Sequence, residues 1–297
     1  MGRTRDKNQL ESSVLEWEHD GKVIKGCNPW EWFSPDDLEE YTDPFTMLQA
    51  DRTSSVRKPK RQKFEEKEEP LLLPQYKYWQ QRHAIFSLYD EGIQIDPTGW
   101  YSVTPELLAM HQVRQTRALL RRSRVKLGDS VVIDPFVGVG GNAIQFAKQA
   151  GLVIGSDTSK ERLSMAKVNA TIYETDLELI QADFTTDFLR IELNSEFMFA
   201  SPPWGGPVYA KQPYFEIETL DDQLGVDFMQ RCREFADCFA LFLPRNTNIY
   251  DLVRRIDDYC LVECNWIESG FKGVTVYVGF EPRDVDWKVE QPEPRFH

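Results

Sequence analysis

The residues best suited to chemistry lie in the stretch "SPPWGG" at 201–206, directly after the apolar run "FMFA". Proline lacks a backbone N–H, so Pro202 and Pro203 leave nearby carbonyl oxygens free to accept hydrogen bonds from a ligand. Ser201 adds a hydroxyl, and Trp204 adds the aromatic face that best stacks a nucleobase or attracts a cation. The stretch could therefore hold and orient an amine. The alternative is a strand, a turn and a tryptophan that packs on the domain.

A second group of residues combines carboxylates with glycines. The segment "VIDPFVGVGGN" at 132–142 has Asp134 at the end of an apolar run, followed by Gly138 and Gly140. Glycine lets a ligand lie directly against the backbone. Asp157 ends the next apolar run, "LVIGSD", and a carboxylate at this position can bind both hydroxyls of a ribose. The pattern predicts a site for a nucleoside-containing cofactor.

Two cofactor types suit this layout. A dinucleotide favours Gly-x-Gly-x-x-Gly with its pyrophosphate on a helix N-terminus, whereas Ala143 stands here in place of the last glycine. S-adenosylmethionine has no phosphate; it has an ammonium for Asp134, a ribose for Asp157 and an adenine amine for Asp183. The residues favour S-adenosylmethionine. For Asp183, an exposed acid in a turn remains the alternative.

Methyl transfer to an amine explains both groups of residues. The reaction is an in-line displacement, so the main task is to hold the nucleophile about 3 Å from the methyl carbon. The lone pair of a nucleobase amine is delocalised into the ring. Hydrogen bonds from the amine to Ser201 and to a carbonyl oxygen next to the prolines would aim that lone pair at the methyl group. No strong general base is then required, because the proton can go to water or to Ser201.

Alternating apolar runs and amphipathic segments must position these residues. From residue 130 to 280 the alternation predicts an α/β, Rossmann-like class I methyltransferase fold: a seven-stranded, mostly parallel sheet with helices on both faces and an antiparallel finish. Ligands bind at the carboxyl ends of such strands. Before this domain, helical spacing predicts a small N-terminal lobe, in which Thr104 would cap a helix starting at Pro105. The predicted divisions are an arm at 1–70, the lobe at 71–126, the methyltransferase domain at 127–283 and a tail at 284–297.

Composition narrows the classes of protein. With 297 residues, 41% of them hydrophobic, the chain can build a sizeable core. A net charge of -13 argues against coating nucleic acid by bulk charge. The segment 114–126 nevertheless carries six basic residues and no acid. It would form either a solvated helix face or a surface that binds phosphates. No run approaches a membrane span of roughly 20 apolar residues, which predicts a cytosolic or nuclear protein.

Two further features concern the arm and the cysteines. The arm ends in a charge-dense, flexible-looking run, and its basic cluster at 57–63 is a candidate nuclear localisation signal. The five cysteines include no Cys-x-x-Cys pair, so reduced core thiols are expected rather than a metal site.

Longer motifs resemble one family. The segments "DPFVGVGGNAIQFA", "SPPWGGPVYA", "FLPRN" and "KYWQQRHAIFSLYDEGIQIDPTGWYSVTPE" resemble the trimethylguanosine synthases, which are RNA cap guanosine-N2 methyltransferases. The similarity spans about residues 71–280. It implies that the chain methylates the 2-amino group of a 7-methylguanosine cap twice, giving the 2,2,7-trimethylguanosine cap of small nuclear and small nucleolar RNAs. It also implies the nucleus as location, with the cytoplasm as an alternative, and ribonucleoprotein proteins as candidate partners.

The resemblance also implies individual roles. Trp204 would stack the methylated base, with Ser201 and Pro202 at the amine. The implied donor-binding residues are Asp134, Gly138, Gly140, Asn142, Asp157, Asp183, Phe86 and Thr104; the implied contacts to cap phosphates are Lys77, Tyr209 and Arg245, with the basic segment 114–126 as a further candidate. Val137 departs from the cysteine frequent in the family, and "SDTSK" lacks the family's second acid.

Two alternatives remain open. An enzyme that methylates adenine or cytosine amines in DNA or structured RNA also uses a Pro-Pro-aromatic motif, although the glycines and proline after Trp204 and the lobe disfavour it. A cap-binding module without turnover is the non-enzymatic alternative, and the presence of Asp134, Ser201 and Asp157 counts against it.

Overall fold

The computed structural model describes residues 76–186, 195–206, 209, 212–256, 260–267 and 270–280, and the backbone of 15–19 and 22–26. Within these residues nine strands form one sheet. The strands are β1 (Leu15–His19), β2 (Lys22–Gly26), β3 (Val131–Asp134), β4 (Leu152–Asp157), β5 (Glu178–Gln181), β6 (Phe197–Ala200), β7 (Phe239–Pro244), β8 (Cys260–Ile267) and β9 (Gly270–Val278).

The sheet order is β1-β2-β8-β9-β7-β6-β3-β4-β5. Strands β7, β6, β3, β4 and β5 are parallel, whereas β9 is antiparallel to both β7 and β8. The seven predicted strands are β3 to β9, and the Rossmann-like sheet with an antiparallel finish is confirmed. Strands β1 and β2 extend its edge from within the predicted arm, where no strand was expected.

Nine helices surround the sheet in the described residues. They are α1 (Tyr76–Trp79), α2 (Arg82–Ile85), α3 (Gly99–Ser102), α4 (Glu106–Arg122), α5 (Gly141–Ala147), α6 (Lys160–Ile172), α7 (Glu218–Leu224), α8 (Phe228–Arg233) and α9 (Ile249–Arg255). Helices α4, α5 and α6 cover one face of the sheet, and α7, α8 and α9 cover the other.

The central strands read as unbroken apolar runs because both of their faces are buried. In β6, Phe197 and Phe199 enter the core layer under α4 to α6, whereas Met198 and Ala200 enter the layer under α7 to α9. All six residues of β7 are buried as well. The helices therefore cover both sides and leave the carboxyl edge of the parallel strands for ligands.

The predicted lobe packs directly on the sheet domain. Phe86 and Leu108 belong to the same core layer as Phe146 of α5. Buried Asn169 of α6 adds a polar link, since its side chain Nδ2 donates to the carbonyl oxygens of Gln94 and Val139, both at 2.9 Å. These contacts fix the lobe over the glycine loop that follows β3.

The start of α4 differs from the prediction. The helix begins at Glu106 with Pro105 at its cap position and no side-chain cap. Thr104 lies one residue too early to reach the first free amides. Its side chain is buried instead, and its Oγ1 has no hydrogen-bond partner. The prediction that Thr104 caps this helix was therefore wrong, and its hydroxyl can donate a hydrogen bond to a ligand or accept one from it.

The described residues contain neither a membrane-spanning helix nor a metal-binding cluster. No helix there has the length and apolarity to cross a membrane. Nor does any group of three or more His, Cys, Asp or Glu side chains there have the arrangement to hold a metal ion.

Candidate active site

A cleft of about 590 Å³ opens at the carboxyl edge of the parallel strands, with the lobe on one side. It lies where β3 and β6 are neighbours and the chain continues across the sheet in opposite directions, which is the usual ligand position in open α/β sheets. Most of the predicted site residues line it: Thr104, Asp134, Gly138, Asn142, Asp157, Asp183, Ser201, Pro202, Trp204, Tyr209 and Arg245.

Asp134 ends β3 and faces this cleft while only 2% exposed. Burial raises its pKa to about 7, the nearby Asp157 carboxylate adds to the shift, and the backbone N–H of Phe136 opposes it. That N–H donates to Asp134 Oδ1 at 3.2 Å. Among the residues the structure describes, no cation pairs with Asp134. A ligand ammonium would supply the missing charge.

The glycine loop provides space beside this acid. Gly138 has a φ of +53°, and a Cβ there would meet only the Phe136 carbonyl oxygen, 4.0 Å away. That open space is where a ligand can lie against the backbone. Gly140 serves the turn instead: its φ is +94°, and a Cβ would come within 3.1 Å of Ile144. Gly140 is not among the residues lining the cleft.

A chain of buried amides and a hydroxyl orients Asn142 at the start of α5. Its Nδ2 donates to Gln112 Oε1 at 2.7 Å, and Gln112 Nε2 donates to Thr275 Oγ1 at 2.9 Å. Thr275 Oγ1 in turn donates to Asn265 Oδ1 at 2.6 Å. Beside Asn142, the unpartnered hydroxyl of Thr104 also faces the cleft. Both side chains can serve a polar ligand.

Asp157, at the end of β4, belongs to a cluster that the sequence did not reveal. Its Oδ1 accepts the backbone N–H of Ser159 at 2.8 Å, and its Oδ2 lies 3.8 Å from Arg162 Nη1. Arg162 also donates through Nε to Asp96 Oδ2 at 3.1 Å. Asp96 comes from the lobe and lines the cleft together with Arg162. The pairing joins the lobe to the predicted ribose side of the site.

Asp183 follows β5 at the far side of this half of the cleft. Its Oδ1 accepts the backbone N–H of Thr185 at 2.8 Å and the Thr185 hydroxyl at 2.6 Å, which forms a tight turn. The rings of Phe136 and Phe184, 5.2 Å apart between centroids, line the cleft near it. An aromatic base would find apolar walls there and a carboxylate at the edge.

The Ser-Pro-Pro-Trp stretch follows β6 on the other side of Asp134. Pro202 is buried, whereas Ser201 and Trp204 are half-buried. Trp204 Nε1 donates to the Phe242 carbonyl oxygen at 3.2 Å. The indole also meets Tyr209 nearly edge-on, with ring centroids 5.4 Å apart and an interplanar angle of 89°. These contacts fix the plane of the indole.

Tyr209 contacts this indole, and Arg245 lines the same cleft close enough to act on the Tyr209 phenol. Burial raises the pKa of Tyr209, and the Arg245 guanidinium opposes that shift. Among the described residues no carboxylate pairs with Arg245, so its charge is available to an anion in the cleft. Tyr78 of α1 also lines the cleft.

Besides Gly140, two further predicted contacts, Phe86 and Lys77, are not among the cleft-lining residues that the structure describes. Phe86 is 1% exposed and packs on Tyr173 with ring centroids 6.0 Å apart, so the structure places it in the core and not among the cleft-lining residues. Its apolar character fits both locations, and the sequence could not distinguish them. Lys77 lies in α1, but its side chain is outside the described part of the structure. Its predicted role stays a prediction.

Comparison with known proteins gives one family. Residues 129–279 match the family described as RNA cap guanine-N2 methyltransferase. The trimethylguanosine synthase of Schizosaccharomyces pombe is 34% identical over 182 residues, which cover 59% of this chain and 73% of that protein. The trimethylguanosine synthase of Saccharomyces cerevisiae is 31% identical over 186 residues, covering 60% of this chain and 57% of that protein. Among solved structures, the METTL16 methyltransferase domain aligns with 69% of this chain and 97% of its own, with a TM-score of 0.48 and 13% identity.

Proposed function

Since this chain belongs to the RNA cap guanine-N2 methyltransferase family, we propose that it transfers methyl groups from S-adenosylmethionine to the 2-amino group of a 7-methylguanosine cap. Two transfers to the same nitrogen would give 2,2,7-trimethylguanosine, the product for which both fungal relatives are named. The observation that carries the proposal is the fixed indole of Trp204, which shares the cleft with the buried carboxylate of Asp134.

The donor half of the cleft suits S-adenosylmethionine. Asp134 would bind the ammonium of its amino-acid part, and Asp157 the ribose hydroxyls. Gly138 leaves room against the backbone, and the orphaned hydroxyl of Thr104 would gain a partner. Asp183 would accept from the adenine amine. When bound, S-adenosylmethionine supplies an electrophilic methyl group, whose C–S bond breaks as the new C–N bond forms.

The residues after β6 orient the nucleophile. Among the described residues no backbone N–H donates to the carbonyl oxygen of Pro202, so this oxygen can accept a hydrogen bond from a ligand. This carbonyl and Ser201 Oγ would accept the two N–H groups of the guanine amine and aim its lone pair at the methyl group. Each transfer releases one proton from the amine to water, directly or through the Ser201 hydroxyl.

Trp204 would select a base that is already methylated at N7. A 7-methylguanine carries a positive charge, and an indole face attracts a cation by about 0.5 to 2 kcal/mol. This corresponds to roughly 2- to 30-fold in affinity. The Tyr209 ring braces the indole edge, and the Arg245 guanidinium would bind the cap phosphates.

Product masses test the proposal. The purified chain would be incubated with S-adenosylmethionine and either 7-methyl-GTP or GTP. Gains of one and two methyl groups on 7-methyl-GTP, with none on GTP, are expected. Methylation of an uncapped oligonucleotide at the rate of a capped one would instead assign the chain to the adenine or cytosine methyltransferases. Intact cap affinity without any transfer would indicate a binding module.

A substitution separates recognition of the cap from folding. Trp204→Ala should lose activity on 7-methyl-GTP while S-adenosylmethionine still binds, because the indole belongs to the cap half of the cleft. Trp266→Ala is the matched control, since Trp266 is a half-buried tryptophan of β8 outside the cleft. Equal loss of donor and cap binding in Trp204→Ala would show that the indole is structural.

We propose further that small nuclear and small nucleolar RNAs are the substrates, that ribonucleoprotein proteins present them, and that the reaction takes place in the nucleus. The resemblance in sequence supports this assignment, as does the basic cluster at 57–63. Depletion of the chain from its cell should remove 2,2,7-trimethylguanosine from these RNAs, measured by mass spectrometry of their released caps. Unchanged caps would refute the assignment.

A further inference from the structure

One face of α4 is basic and exposed. Arg114, Arg117 and Arg121 all lie on the solvent side of this helix, at spacings of three and four residues that place them on the same face. They extend over about 10 Å of the helix axis. The opposite face is fixed in the core by Leu108 and Val113. We call these three arginines the basic stripe.

The charges of the basic stripe are unneutralised within the protein. In the part of the chain that the structure describes, none of the three arginines pairs with a carboxylate. Other arginines there do find acids: Arg162 pairs with Asp96, and Arg255 pairs with Asp221 at 3.0 Å. With 48 acidic residues in the chain, an acid-free basic face is an exception that favours an anionic partner.

The basic stripe lies outside the cleft, on the helix that directly follows cleft-lining residues. Val103 and Thr104, just before α4, line the cleft, whereas the three arginines do not. The helix then runs to the opposite edge of the sheet, where its end leads through the turn Leu127–Asp129 into β3. The first arginine of the stripe lies about 12 Å along the axis from the helix start. Exposed Tyr101 lines the cleft just before this helix.

We propose that the basic stripe binds the phosphates of the RNA body beyond the cap. The proposal rests on the proposed function, because a cap held in the cleft is what brings the following nucleotides to α4. Because the three arginines do not line the cleft, we assign them to phosphates beyond the cap triphosphate and not to the triphosphate itself, for which the sequence offered segment 114–126 as a candidate. Guanidinium groups suit phosphates because they donate parallel hydrogen bonds to two oxygens, and Tyr101 offers a ring for stacking a base as the strand leaves the cleft.

Binding of a capped RNA and of a cap nucleotide, each at several salt concentrations, tests this proposal. The probes are a 7-methylguanosine-capped single-stranded RNA of about 20 nucleotides and free 7-methyl-GTP. The variant is Arg117→Gln/Arg121→Gln in the full chain. The matched control is Lys160→Gln/Lys167→Gln, which removes two exposed charges from α6, on the same face of the sheet but beyond α5.

Each phosphate contact to a single strand contributes about 0.7 to the slope of log affinity against log salt. The arginine variant should therefore lower that slope for the capped RNA by about 1.4. Equivalently, wild-type affinity should fall about sevenfold more than the variant's between 50 and 200 mM salt. Affinity and methylation rate for 7-methyl-GTP should not change in either variant, and the lysine control should keep the wild-type slope.

Equal slopes for wild type and the arginine variant would overturn the proposal and leave an acidic protein as the partner of the stripe. Equal losses in the arginine variant and the lysine control would also overturn it, because general charge would then explain the effect. Methylation of 7-methyl-GTP separates this result from a failure of the proposed function, since that reaction requires the cleft alone.

Discussion

Asp134→Asn should make the protein more stable and less able to bind its donor. Burial holds the pKa of Asp134 at about 7 against an ordinary value of 3.8. A difference of roughly 3 pH units corresponds to about 4 kcal/mol between the charged and neutral forms of the folded protein. Because the folded pKa is the higher one, the folded state holds the extra proton between about pH 4 and pH 7. The stability that this proton gives is fully present below about pH 4 and is lost progressively as pH rises to about 7.

The asparagine variant removes this pH dependence. The substituted side chain would keep an oxygen that can accept the Phe136 N–H but would not ionise. At about pH 8 the variant should exceed the wild type in unfolding free energy by up to about 4 kcal/mol, and at about pH 4 the two should agree closely. The measurement is urea unfolding without donor at both values of pH. Asp129→Asn, which removes one exposed acid near the start of β3, controls for the change in net charge.

Donor affinity should change in the opposite direction. The ionised carboxylate is the form that pairs with an ammonium, so wild-type affinity for S-adenosylmethionine should fall about tenfold per pH unit below 7. Asp134→Asn should bind weakly at every pH, measured by titration calorimetry. A variant less stable than the wild type at pH 8, or donor affinity independent of pH in the wild type, would refute the assignment of Asp134 as a buried acid awaiting a cation.

Three other substitutions separate the parts of the site. Gln112→Leu removes the acceptor of the Asn142 amide, so the KM for donor should rise with kcat retained, at a stability cost of about 1 to 3 kcal/mol; an unchanged KM would exclude positioning through Asn142. Gly138→Ala fills the space against the backbone and should cost about 1 kcal/mol of stability at its positive φ. Calorimetry should show that the free energy of donor binding falls by well over about 1 kcal/mol. Normal donor binding would contradict the proposal that the donor lies against Gly138. Arg245→Gln should raise the KM for 7-methyl-GTP about 10- to 100-fold and leave 7-methylguanosine unaffected; equal effects on both would show that Arg245 does not bind phosphate.

Local sequence pattern predicted what depends on local geometry. Asp134 and Asp157 end apolar runs of neighbouring parallel strands, and strand ends meet at one edge of such a sheet. Ser201 follows β6, which pairs with β3 on its other side. The position of the cleft therefore followed from the order of strands and acids along the chain.

The missed features depend on contacts between distant residues. Arg162 and Asp96 are separated by 66 positions, and no short-range pattern connects them. Phe86 is an apolar residue in a helical lobe, so its type could not decide between core and cleft. The five-residue strands β1 and β2 mix charged and apolar residues, so their sequences do not predict a strand clearly. An isolated hairpin is only marginally stable, and pairing with β8 supplies the missing support.

Buried hydrogen bonds hold the donor half of the cleft, whereas packing on the sheet holds the cap half, and the second of these bears on cap specificity. The Asn142 side chain belongs to a chain of buried hydrogen bonds across four elements, in which a lost partner is costly because water cannot replace it. Trp204 packs on both core layers of the sheet, and its Nε1 is bonded to the backbone of β7. The sheet and the Tyr209 ring together therefore set the plane of the indole. A cationic base meets a surface already in place, so discrimination for the 7-methylated cap does not require the protein to reorganise when the cap binds.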